Sequence, residues 1–267
     1  MSLQGKKVLV VGTGKSGIAA TELLRANNID TVLFDGNKEL DTVALYEKAP
    51  AIREVPLILG DITDAQMDEF DVAVLSPGVP TDIPMVNSLR DKGVKIWGEI
   101  ELAYTFGAGR IIAITGTNGK TTTTALTGEI MKNYFKDVRV VGNIGIPYTS
   151  MVTGSTDETV TVAEISSFQL ETIDTFKPHI SAILNITPDH LNRHHTMENY
   201  IRAKEDITKN QTQDDFCILN YEDEVLRSFA AECPAKVIFF SSKSELSEGF
   251  YLDGDIIIYA HDGVRDE

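Results

Sequence analysis

Residues 115–122 read TGTNGKTT, set between the apolar run Arg110–Ile114 and a long helical pattern that reaches about Phe135. A strand that ends in a glycine turn and restarts as a helix aims backbone N–H groups and the positive end of the helix dipole at one point. Lys120 adds a mobile cation there, and the hydroxyl of Thr121 follows it, where it can ligate the Mg²⁺ that accompanies a triphosphate. The residues of such a phosphate cradle are Gly116, Thr117, Asn118, Gly119, Lys120, Thr121 and Thr122. The general G-x-x-x-x-G-K-[ST] spacing is not met, because position 114 is Ile. A glycine turn carrying a surface lysine is the plainer alternative.

Downstream of the cradle, strands predicted at Val138–Val141, Thr159–Ala163 and Ile180–Leu184 each end in a polar loop: GNIG at 142–145, EISSFQLE at 164–171, and NITPDHLNRHH at 185–195. Asn143 offers an amide at the sheet edge. Glu164 is a carboxylate at a strand tip, either solvated or placed for a hard cation that accepts one or two protein oxygens plus phosphate. His190 beside Asp189 suits an oriented imidazole near a second Mg²⁺. A closed zinc site lacks a partner cysteine, and His194 and His195 read as surface residues.

Thr196 is a plausible N-cap for a helix over Met197–Asn210, whose apolar stripe is Met197, Tyr200, Ile201 and Ile207. Lys204 falls on that stripe. An inward ammonium is costly without a partner, unless the side chain snorkels to the rim. Strands at Phe216–Leu219, Lys236–Phe240, Phe250–Leu252 and Asp255–Tyr259 follow, the last two as a hairpin around Asp253-Gly254, and a turn begins at His261.

Upstream, Lys7–Val11 is an apolar strand, GTGKSG at 12–17 opens a helix to about Asn27, and Thr31–Phe34 is a second strand ending at Asp35. That acid lies 18 residues beyond Gly17, close to the ~20 expected of a ribose-binding carboxylate. A tight turn in any doubly wound domain has the same look. Strands at 57–59, 71–75 and 94–97 alternate with helical patterns near 38–48 and 83–92, which predicts a parallel sheet covered on both faces. The loop Ser76-Pro77-Gly78-Val79-Pro80 follows a strand directly, at the edge where open α/β sheets bind ligands. An NAD-linked oxidoreductase would use this fold, but a second phosphate loop comes where a hydride-transfer site is needed.

A chain of 267 residues has room for about two domains. We place the joint at Gly98, giving domains 1–97 and 98–267. With 24 basic and 40 acidic residues the net charge of −16 argues against general binding to nucleic acid or anionic membrane. Cys217 and Cys233 show neither zinc spacing nor a disulfide framework, and a reducing, cytoplasmic setting fits. The N-terminus lacks the pattern of a signal peptide, and no apolar run approaches a membrane span.

Taken in order, GTGKSG, TGTNGKTT, GNIG, EISSFQLE and DHLNRH at 189–194 resemble the motifs of the ATP-dependent Mur ligases of peptidoglycan synthesis. TGTNGKT alone is shared with folylpolyglutamate synthases. The nucleotide-type first domain and the SSFQLE stretch favour the Mur branch that adds D-glutamate to UDP-N-acetylmuramoyl-L-alanine through an acyl phosphate. The resemblance implies a Rossmann-like α/β domain followed by a P-loop-type, mostly parallel α/β ATPase domain. It implies that Gly14, Lys15 and Ser16 hold the UDP diphosphate, with Asp35, Pro77 and Gly78 at the uridine. It further implies that Lys120 contacts ATP, that Thr121, Glu164 and His190 serve Mg²⁺, and that Asn143 and Ser166 face the substrate. Lys204 would be N-carboxylated by CO₂ to N6-carboxylysine, a further metal ligand. Lys120, Lys204, His190 and Asn143 form the implied catalytic set. A third, amino-acid-binding domain and a His-Asn motif near the adenine also belong to the pattern and are missing from these residues. The chain therefore reads as two domains of a monomeric ligase cut short, with another Mur ligase, a folate-type ligase or an isolated nucleotide-binding module as alternatives.

Overall fold

Apolar strands alternating with capped helices build two sheets in the computed structural model, which describes residues 2–143 and 145–267. One unit comprises Met1–Ala108, Ile144–Thr156 and Glu171–Phe176; the other comprises Gly109–Asn143, Asp157–Leu170 and Lys177–Glu267.

The first unit runs β1 (Lys7–Val11), α1 (Lys15–Ala26), β2 (Asp30–Asp35), α2 (Thr42–Lys48), β3 (Leu57–Leu59), α3 (Asp64–Met67), β4 (Val72–Leu75), α4 (Pro84–Asp91), β5 (Lys95–Gly98) and α5 (Glu99–Phe106). Its strands are parallel in the order β3-β2-β1-β4-β5. Val8–Val11 pair with Thr31–Phe34 on one side and Val72–Leu75 on the other. Because β2 and β4 leave β1 on opposite sides, the carboxyl ends of β1 and β4 open a crevice. Leu9, Val11, Phe34, Ala73, Leu75 and Leu89 are buried in the core of this unit, each large side chain contributing about 1.5–3 kcal/mol. Helix α2 begins at Thr42, not near Lys38, because the Asp41 carboxylate accepts from the Val43 and Ala44 N–H groups while its own backbone is extended.

The first compact unit runs past Gly98, through α5 to Ala108. Helix α5 is held in the first unit by two buried carboxylates. Glu99 accepts from the N–H and hydroxyl of Thr149, at 2.6 and 2.8 Å, and burial pushes its carboxyl above the usual range against those bonds. Glu101 accepts from the N–H groups of Asp174, Thr175 and Phe176 and from the Thr175 hydroxyl, at 2.5–2.9 Å. The i,i+2 spacing of the two acids gives no hint of these partners 50 and 73–75 residues away. Glu101→Gln turns an NH₂ group toward backbone N–H donors, and we expect a loss of about 2 kcal/mol. A calorimetric midpoint several degrees below the wild type would show it, whereas an unchanged midpoint would mean that water serves those amides.

In the rest of the chain, β6 (Arg110–Thr115), α6 (Lys120–Lys132), β7 (Val138–Gly142), α7 (Tyr148–Met151), β8 (Val160–Glu164), α8 (Ser167–Leu170) and β9 (Ile180–Ile183) are followed by α9 (Leu191–His194), α10 (Met197–Glu205), β10 (Phe216–Asn220), α11 (Glu224–Phe229), β11 (Lys236–Ser241), β12 (Gly249–Asp253), β13 (Ile256–His261) and β14 (Val264–Asp266). Of these, α7 lies in the first unit. The second sheet has the order β14-β13-β12-β11-β10-β9-β6-β8-β7 among the described residues. It is parallel from β7 to β12 and antiparallel through β13 and β14. The chain thus makes one more strand where a turn alone is predicted, since Val264 returns against His261. The observed sheets are the expected α/β class, a Rossmann-like unit and a mostly parallel unit with a cradle after β6. No helix among the described residues is long and apolar enough to cross a membrane.

Candidate functional site

Central placement of β6, between β8 and β9, brings three strand tips together: Thr115, which pairs with Ile183, follows Ile114, which pairs with Glu164. The cradle sits on the first of them. Gly119 caps α6 at φ 85°, a left-handed conformation that favours glycine, and supplies no side chain to occupy the free N–H groups of the first turn. Asn185, from the loop after β9, clamps the cradle by accepting from the Asn118 N–H at 2.9 Å and donating to the Asn118 carbonyl at 3.0 Å. Thr117 Oγ1 meets the Thr187 backbone, with its carbonyl at 3.1 Å and its N–H at 3.0 Å. The Tyr200 hydroxyl stands 3.0 Å from the same atom.

Two ammonium groups converge beneath this loop. Lys120 donates to the Gly116 and Thr117 carbonyls, both at 2.9 Å. Lys204, only 2% exposed, donates to the Gly116 carbonyl at 2.8 Å and lies 4.7 Å from the centre of the Tyr200 ring. Burial, and then the Lys120 charge, push Lys204 down from 10.5 to about 7 against the pull of Asp189. The snorkelling alternative is excluded by this burial.

Glu164 is likewise buried, at 2% exposure, and its Oε1 accepts from Asn143 Nδ2 at 3.2 Å. Asn143 is fixed by its own N–H, which donates to the Glu164 carbonyl at 2.8 Å; its neighbour Ile144 lies outside the described residues. Ser166 exchanges hydrogen bonds with Gln169 at the start of α8, each serving the other's backbone N–H. His190 starts α9 at φ 51°, with half its side chain exposed and Nε2 3.4 Å from Asp189 Oδ2. Thr121 and Thr122 are exposed on the first turn of α6. Among the described residues no group of three His, Cys, Asp or Glu side chains is gathered for a metal.

The expected surface position of His194 is wrong. It is 4% exposed, with Nε2 2.9 Å from Ser167 Oγ and its ring between Phe168 and Tyr200. Asn185, Tyr200 and His194 are the site residues that pattern reading passes over. Their partners lie 67, 83 and 27 positions away, so only the fold brings them together.

In the first unit the crevice is a cavity of about 630 Å³, lined among others by Gly12, Phe34, Asp35, Asp61, Gly78 and Val79. Gly14, Lys15 and Ser16 begin α1, where no side chain caps the helix. Asp35 is turned toward the glycine loop: it accepts from the Thr13 hydroxyl and N–H, at 2.6 and 3.0 Å. Burial acts to raise this carboxyl, but the Thr13 and Asn37 hydrogen bonds outweigh it and hold it below the usual value. Ser76 Oγ, just before Pro77, is buried without a hydrogen-bond partner.

A Rossmann-like unit with an open crevice and a mostly parallel unit with a glycine-turn cradle make this an α/β protein of two sheets. Residues 114–264 match the Mur ligase middle domain, and the chain belongs to the Mur ligase family. Residues 6–98 match the Mur ligase MurD-like N-terminal domain. The UDP-N-acetylmuramoylalanine–D-glutamate ligase of Lachnoclostridium phytofermentans is 57% identical over 262 residues, covering 98% of this chain and 58% of the relative. The ligase of the same name from Lachnospira eligens is 53% identical over 266 residues, with 100% and 59% covered. The chain therefore spans somewhat under two thirds of the length of these curated relatives. The solved UDP-N-acetylmuramate:L-alanyl-gamma-D-glutamyl-meso-diaminopimelate ligase from Neisseria meningitides shares the fold, with a TM-score of 0.56 at 14% identity over 97% of this chain and 85% of that one.

Proposed function

We propose that this chain supplies the precursor-binding and ATP-binding parts of a ligase that joins D-glutamate to UDP-N-acetylmuramoyl-L-alanine. In this reading residues 1–97 hold the UDP precursor and 98–267 form the central ATP domain, within a monomeric cytoplasmic enzyme. The observation that carries it is the Lys120 ammonium folded onto the turn, 2.9 Å from the Gly116 and Thr117 carbonyls, at a helix start with uncapped N–H groups. A cation and open amides at one strand tip suit a phosphate group.

The residues present also fit Mg²⁺. Thr115 Oγ1 is buried without a partner, the Glu164 carboxylate is buried at the next strand tip, and hydroxyl and carboxylate oxygens are the donors a hard cation takes. Thr121, Glu164 and His190 would hold it, and when bound it neutralises charge on the phosphates. Lys204, with its proton lost near pH 7, is a nucleophile for CO₂: nitrogen bonds to carbon, the proton leaves, and a carbamate oxygen donor replaces a buried cation. Lys120 would steady the transferring phosphoryl group as a precursor carboxylate oxygen attacks the γ-phosphorus and ADP leaves. The D-glutamate amine then attacks the acyl carbon and phosphate departs. Asn143, anchored to Glu164, and Ser166 would orient the precursor.

Titration calorimetry with UDP-N-acetylmuramoyl-L-alanine tests this directly. We expect saturable binding by the chain and none by a reduced folate. Folate binding without precursor binding would overturn the assignment.

A further inference from the structure

We propose that His194 is a positioning residue that seats Lys204 and the cradle by locking Tyr200 against α8. The inference rests on the nucleotide reading above only for its second measurement.

The imidazole is buried at 4% exposure, and its contacts run to two elements on either side. On one side Nε2 lies 2.9 Å from Ser167 Oγ, and the ring stacks on Phe168 at 5.4 Å and 24°. Both residues belong to α8, which follows directly on Glu164 and Ser166. On the other side the ring meets Tyr200 of α10 at 5.2 Å. Tyr200 is the point at which α10 touches the cradle. Its hydroxyl is 3.0 Å from Thr117 Oγ1, and its ring underlies the Lys204 ammonium at 4.7 Å.

The histidine is itself held firmly. Its carbonyl accepts from the Thr196 N–H at 2.8 Å and from Asn199 Nδ2 at 2.9 Å, so the turn between α9 and α10 cannot slide past it. His195, next in sequence, takes φ 67°, uncommon for a non-glycine residue though less so for histidine. A polar ring packed between two aromatics, with one nitrogen aimed at a hydroxyl, fixes rotation as well as distance, which an aliphatic side chain cannot do. Besides the direct pairing of β6 with β8, a second path from the strand tip carrying Glu164 to the loop carrying Gly116 passes through Ser167, His194 and Tyr200.

The test uses His194→Phe, which keeps a ring and removes the nitrogen, and Ser167→Ala, which removes the partner and leaves the histidine. Backbone amide spectra are recorded for both and for Tyr200→Phe. We expect His194→Phe and Ser167→Ala to shift the amides of Gly116, Thr117 and Asn118, in the same directions as Tyr200→Phe. Shifts confined to residues around 167, 168 and 194 would reduce His194 to local packing and overturn the proposal. His194→Gln, which restores a hydrogen-bonding group toward Ser167, should bring the cradle amides back toward wild type. Affinity for a fluorescent ATP analogue is then expected to fall about five- to tenfold in His194→Phe, as coupled neighbours typically show. Failure of the wild-type chain to bind the analogue would sink the nucleotide reading, while the amide shifts would still decide the role of His194.

Discussion

Lys204→Met is expected to raise the thermal midpoint of this chain by several degrees at pH 6 and to slow ligation sharply in an enzyme that contains it. The lysine titrates at about 7 in the folded chain, below its ordinary 10.5. Between those values the unfolded chain binds the extra proton, so stability rises as pH increases from 7 toward 10.5. Below pH 7 both states are protonated and the full cost of the buried charge is present. Methionine keeps the packing and removes the charge, a change that stabilises by roughly 1–4 kcal/mol where buried ions are replaced. The Gly116 carbonyl is not orphaned, because Lys120 also donates to it. Calorimetry at pH 6, 7.5 and 9 should show the gain shrinking as pH rises, and a lower midpoint for the variant at pH 6 would refute the account. Turnover of the complete ligase is expected to drop roughly 10²–10³-fold, the scale of losing an electrostatic stabiliser at a reacting centre. If the missing element is a carbamate, formate or acetate should restore part of the activity to Lys204→Ala. Full activity in Lys204→Ala would leave the lysine with packing alone.

The largest stability loss is expected from Gly17→Ala. A Cβ at Gly17 would lie 1.8 Å from the Gly12 carbonyl oxygen and 3.1 Å from Ser76 Oγ. The first of these is backbone and cannot rotate away, so α1 must move off the strand tip. We expect a loss of about 3 kcal/mol or more, with precursor binding lost alongside because the crevice closes at Gly12. Gly14→Ala is the milder control, since a Cβ there meets nothing within 4 Å and the exchange of a glycine N-cap for alanine costs about 1 kcal/mol. Equal midpoints for the two variants would show that the glycine spacing has no steric basis here.

Much of the scaffold is legible in the sequence because it is local. The apolar run Lys7–Val11 and its glycine loop mark β1 and α1, and Ile114 followed by TGTNGKTT marks the junction of β6 and α6. The burial of Lys204 is legible too, since helical spacing from Met197 and Tyr200 turns it inward. What escapes is decided by distant chain. Glu101 reads as a charged helix residue until the amides of 174–176 arrive. Asp35 has the spacing of a ribose ligand, yet its carboxylate is engaged by Thr13, a partner that spacing rules do not consider. His194 looks like one more polar residue in a His-rich run, because Ser167 and Phe168 come from another strand's loop. The end of the chain reads as a turn because Val264–Asp266 is too short to announce a strand without β13 beside it.

The interleaving of the two units has a consequence for inheritance. After leaving the first unit at Ala108, the chain returns to it at 145–156 and again at Glu171–Phe176, bringing Thr149 to Glu99 and the amides of 174–176 to Glu101. No single breakpoint in the gene separates the two units intact. A single crossover after Ala108 would part Glu99 and Glu101 from the segments that carry their donors, so the first unit is inherited intact only together with the chain threaded through the second.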